Sequence, residues 1–128
     1  MIIIGHPWIE SQKFKKVHSE VDISKTTPND IVLLEPLSKS YKLAQYCQKN
    51  HIPFSVNVNK LTDAIFANAL GAMYIVCEEE DALLIQPIAQ EYLFDTRVLV
   101  LIDNEEEIEK IARASIDGII FREIINEI

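Results

Sequence analysis

The chain alternates short apolar runs with segments whose apolar residues recur at helical spacing. The clearest instance is Val98 to Phe121, VLVLIDNEEEIEKIARASIDGIIF. Val98 to Ile102 is an unbroken apolar run, which a strand tolerates only when both of its faces are covered. Asn104 suits an N-cap, and Glu107 is placed to close a capping box. Ile108, Ile111, Ala112 and Ser115 then follow the spacing of one buried helical face. Asp117-Gly118 turns the chain into a second apolar run, Ile119 to Phe121. The stretch predicts a strand, a helix and a strand.

The same unit recurs upstream. Ile31 to Leu34 predicts a strand ending at Glu35-Pro36, followed by a helix from Ser38 to Asn50 with Leu43, Ala44 and Cys47 inward. Phe54 to Val58 predicts the next strand. Its apolar residues alternate with Ser55 and Asn57, which points to a sheet edge. Asn59 caps a helix with Leu61, Ala64, Ile65 and Asn68 on one face, and Gly71 supplies a left-handed C-terminal turn. Met73 to Cys77 predicts another strand, and Glu78 to Asp81 open a helix expected to break or kink at Pro87. Ahead of this series, Met1 to Ile4 and Phe14 to Val17 read as short strands. They form either a hairpin or a crossover that leaves the first strand parallel to the later ones. Ser19 with Asp22 caps a short helical turn. The tail, Arg122 to Ile128, places Ile124, Ile125 and Ile128 on one side of a short amphipathic helix.

Strands starting at Ile31, Phe54, Met73, Val98 and Gly118, each separated by a helix, predict one α/β domain. Residues 1–30 form an N-terminal strand-and-loop extension, 31–121 the repeating βα units, and 122–128 a helical tail. The expected architecture is a three-layer αβα sandwich around a mainly parallel sheet of five strands, plus the short N-terminal strand or hairpin. The flavodoxin-like order 2-1-3-4-5 would put the Phe54 strand on the edge. A half β/α-barrel has the same period and is the alternative.

Composition narrows the function classes. A chain of 128 residues, 48% hydrophobic and 25% charged, suits a single globular core. Its net charge of −8 argues against a nucleic-acid partner, which normally demands a basic stripe. No apolar run approaches the roughly 20 residues of a membrane span, and MIIIGHPW lacks the features of a signal peptide. Cys47 and Cys77 have no metal-ligand spacing, so buried free thiols in a cytoplasmic protein are expected.

In both architectures ligands bind beyond the carboxyl ends of the parallel strands. Those ends offer Glu35, Asn57, Glu78, Asp103 and Arg122, joined by His6 if the first strand is parallel. Glu35 and Glu78 are the pair that would hold Mg²⁺ through oxygen ligands, with Arg122 clamping an anion. No other cofactor is expected. Acids at Glu78 and Asp103 are also what a helix start favours on its own account.

ASIDGIIFRE resembles the closing strand of phosphate-binding β/α-barrel enzymes, in which an Asp-Gly pair leads an apolar strand. Arg122-Glu123 stand where those families carry a small Gly-Ser-type pair, so phosphate binding is not carried over. The alternating pattern also resembles response-regulator receivers. Such a receiver implies a phosphoacceptor aspartate at the position of Cys77, and its absence excludes that activity.

Two functional readings follow. The first is a non-catalytic module that binds a protein partner or itself, through Trp8, Phe14, Ile124, Ile125 and Ile128. The second is a small enzyme or ligand-binding protein that uses the acidic rim at the strand ends.

Overall fold

A computed structural model describes all residues, Met1 to Ile128. The strands are β1 (Ile2–Ile4), β2 (Phe14–Lys16), β3 (Ile31–Leu34), β4 (Phe54–Asn57), β5 (Tyr74–Cys77), β6 (Arg97–Ile102), β7 (Gly118–Phe121) and β8 (Ile125–Glu127). The helices are α1 (Glu20–Ser24), α2 (Leu37–Lys49), α3 (Leu61–Ala69), α4 (Glu79–Glu91) and α5 (Ile108–Arg113). All eight strands join one sheet in the order β1-β7-β6-β5-β4-β3-β2-β8, and every pairing is parallel.

That order settles the architecture. From β2 to β7 each strand lies beside its sequence neighbour, as in a β/α-barrel. Laid flat, β7 and β8 would stand six strand spacings apart, or about 29 Å. The chain from Phe121 to Ile125 reaches at most about 14 Å. The sheet therefore curls until its edges meet. β1 pairs with β7 and β8 pairs with β2, and the two short strands abut where Gly5 faces Ile124. A Cβ on Gly5 (φ +98°) would lie 2.7 Å from Ile124 Cγ1, so both the approach and the backbone conformation call for glycine there.

The curl gives the sheet two unlike cores. The outer face packs under the helices through Val32, Leu34, Phe54, Val56, Ile75, Val98, Val100 and Ile119. The inner face closes on itself through Ile4, Phe14, Ile31, Leu33, Val76, Leu99 and Ile120. No helix layer covers the inside, so the structure is the half β/α-barrel and not the three-layer, flavodoxin-like sandwich. Eight strands replace the expected five because both chain ends add staves. β1 is parallel to the others and forms no hairpin with β2.

Three local expectations are also corrected. The β4 strand is interior, between β3 and β5. Its polar residues alternate because they face inward, where the Ser55 hydroxyl donates to the Val32 carbonyl at 3.0 Å. α4 does not break at Pro87 but continues to Glu91, and the carbonyl left free belongs to Leu83 on the exposed side. Residues 122–128 form one 3₁₀ turn and then β8, because pairing with β2 outweighs the helical spacing of the isoleucines.

Several expectations match the structure. Asn104 and Glu107 form the capping box ahead of α5, Ser19 caps α1, and Gly71 is left-handed (φ +83°).

Candidate functional site

The side chains at the carboxyl end of the barrel follow from strand alternation. Residues two apart share a face. Lys16, Glu35, Asn57, Glu78, Asp103, Arg122 and Glu127 therefore each stand one step beyond an inward residue: Phe14, Leu33, Ser55, Val76, Leu101, Ile120 and Ile125. The outer rows reach the same level still apolar and buried, with Leu34, Val58, Cys77, Ile102 and Phe121. Only the inner rows turn polar. The result is a ring of polar side chains over a mainly apolar interior.

A cavity of about 360 Å³ opens inside this ring, lined by Lys16, Leu33, Asn57, Leu101, Arg122, Ile125 and Glu127. A smaller hollow of about 170 Å³ adjoins it, sharing Asn57 and Leu101 and reaching Pro36, Asn59, Glu78 and Asp81. The size and the mixture of an aliphatic floor with a few polar groups suit a small-molecule site.

The ring is held by ion pairs. Arg122 donates from Nη1 and Nη2 to the two Glu78 carboxylate oxygens at 3.0 and 3.2 Å, and from Nε to Asp103 at 3.1 Å. These bonds, the Glu78 pair foremost, hold the guanidinium pKa above its ordinary range. His18 lies 3.5 Å from Glu35 and 3.4 Å from Glu127, and Lys16 Nζ lies 3.9 Å from Glu127. Being half-exposed, these contacts organise the rim more than they stabilise the fold. The Asn57 side chain makes no hydrogen bond within the chain, and it lines the cavity.

The structure thus gathers Asn57, Glu78, Asp103 and Arg122 at one mouth and sets Glu35 beside His18. It gives several of them work other than that expected. Glu78 and Arg122 neutralise each other, which takes both oxygens of the proposed metal ligand and most of the charge of the proposed anion clamp. No group of three or more His, Cys, Asp or Glu side chains is placed to hold a metal ion.

His6 lies at the rim, beyond the carboxyl end of β1. The Trp8 backbone N–H donates to its Nδ1 at 3.1 Å, so Nε2 carries the proton and donates to Glu105 at 2.8 Å. Both ring nitrogens are occupied. Cys77 belongs to an outer row, and burial together with Asp81 and Glu78 pushes its thiol up to about 12. Burial alone raises Cys47 to about 11. Neither is a nucleophile at neutral pH.

Of the expected interface residues, Trp8 is 88% exposed and Ile128 also faces solvent, whereas Phe14 is fully buried inside the barrel and offers no surface. Ile124 and Ile125 are half-buried against their own domain. Three rim residues escaped sequence reasoning: Lys16, His18 and Glu127. The signal for Lys16 and Glu127 was the two-residue step from Phe14 and Ile125, visible only once both segments are read as inward strands.

No protein-family model matches the chain, and no curated protein matches its sequence. No helix is long and apolar enough to cross a membrane.

Proposed function

We propose that the chain is a small-molecule-binding half β/α-barrel whose site is the cavity at the carboxyl mouth. One observation carries this reading. The polar ends of the inner rows converge around a cavity whose floor is Leu33, Leu101 and Ile125, while the outer rows stay apolar beneath the helices. The free Asn57 amide has the same meaning, since an unpartnered polar group over an aliphatic floor serves a bound molecule better than the fold. The buried free thiols fit a cytoplasmic setting. A thermal-shift screen of polar metabolites tests the proposal against the Asn57→Leu variant. A compound should raise the melting temperature of the parent and leave the folded variant unmoved. Equal shifts in both proteins would sink the assignment of the mouth.

A second reading, a non-catalytic module that binds a protein partner or itself, rests on a different surface. α3 and α4 both follow parallel strands and therefore run side by side in the same direction. Each exposes two large apolar residues at its fifth and sixth positions, Ile65 and Phe66 on α3, Leu83 and Leu84 on α4. Four exposed apolar side chains on neighbouring helices are the kind of surface that interaction sites use. Sedimentation of the parent and of a Phe66→Asp, Leu84→Asp double variant tests self-association. A monomer in both cases removes it.

A further inference from the structure

We infer that the mouth takes a zwitterionic α-amino acid with an aliphatic side chain. This rests on the reading of the mouth as the binding site and names the ligand class.

Lys16 and Glu127 face each other in register on β2 and β8, their charged atoms 3.9 Å apart. That separation exceeds a hydrogen bond, so Lys16 keeps its donors, and Glu127, whose other oxygen lies 3.4 Å from His18, keeps acceptor capacity on the oxygen facing Lys16. They present one positive and one negative charge at neighbouring points, which is the pattern of an α-carboxylate and an α-ammonium on adjacent atoms. Asn57 lines the same cavity and supplies both a donor and an acceptor. Arg122 has five N–H groups and spends three on Glu78 and Asp103. The other two lie on opposite edges of the guanidinium, so a ligand carboxylate can accept from one of them, and the charge is already compensated. Below these groups Leu33, Leu101 and Ile125 form an aliphatic floor.

Other ligand classes fit less well. A phosphate dianion meets the carboxylates Glu35, Glu78, Asp103 and Glu127 against Lys16, Arg122 and His18, all three already paired with those acids. A diamine meets the like charge of Lys16 and has no use for the Arg122 donors. A sugar ring favours an aromatic platform, and no aromatic side chain lines the cavity.

The test is an NMR titration of the full chain at pH 7 with L-leucine, N-acetyl-leucine, leucine methyl ester, glucose, inorganic phosphate and putrescine. L-leucine should shift the Asn57 side-chain amide and the backbone signals of Lys16 and Glu127. N-acetyl-leucine and the methyl ester, each lacking one charge, should bind at least about tenfold more weakly, a difference of about 1.4 kcal/mol. Lys16→Met and Glu127→Gln should each weaken leucine by a similar factor in a protein whose remaining spectrum is unchanged. If glucose, phosphate or putrescine moves the same signals and leucine does not, the mouth stands as a site and the amino-acid assignment falls. If none of the compounds moves them, both fall.

Discussion

The two ends of the barrel use their polar side chains differently. At the amino end these side chains are bonded to backbone. Asp117 accepts from the Val98 N–H at 2.9 Å, and its own N–H donates to the buried Gln86 side chain at 2.9 Å. Thr96 donates to the Ala72 carbonyl at 2.6 Å, and Asn68 accepts from the Thr96 N–H at 3.3 Å. Each of these bonds satisfies a main-chain group that the start of a strand leaves open. At the carboxyl end the polar side chains mostly hold one another, as in Glu78–Arg122–Asp103 and Glu35–His18–Glu127–Lys16, and Asn57 holds nothing. One end is fastened and the other is available. In β/α-barrels that division separates stability from chemistry.

Substitutions at the two ends should therefore differ in kind. The largest effect is expected from Gly118→Val at the amino end. Even a Cβ at that position would lie 2.5 Å from the Ile2 carbonyl oxygen and 2.6 Å from Ile2 Cβ, so β1 must leave its place beside β7. Urea denaturation should show a loss of about 3 kcal/mol, the upper end for overpacking, and a parent-like midpoint would contradict the close pairing of β1 with β7.

Asp117→Ala comes next. It leaves the Val98 N–H without its acceptor in a buried strand, at a cost of about 1–3 kcal/mol. The smallest effect belongs to the mouth, where Arg122→Gln breaks exposed ion pairs worth less than about 1 kcal/mol. If Arg122→Gln proved as damaging as Asp117→Ala in the same denaturation series, the contrast between the ends would fail.

Much of the local structure is legible in the sequence. The apolar runs, the Asn104–Glu107 box and the left-handed Gly71 depend on near neighbours, and near neighbours are what a sequence displays. The order of the strands is not legible in the same way. An apolar run such as Val98 to Ile102 looks the same whether its second face meets a helix layer or the opposite wall of a barrel. The polar step at Ser55 and Asn57 has two meanings for the same reason, a wet edge or an inward row approaching the mouth. The tail fails for a related cause. Ile124, Ile125 and Ile128 are spaced for a helix, and only the distant β2 supplies the pairing that makes 125–127 a strand. Six candidate rim residues could be named from strand ends alone, while their partnerships needed the curl of the sheet.

The meeting of Gly5 with Ile124 makes the barrel depend on both ends of its chain at once. Contacts of such sequence separation carry a large loop-closure cost and slow folding as a whole. The same join completes the mouth, because β8 carries Glu127 into it.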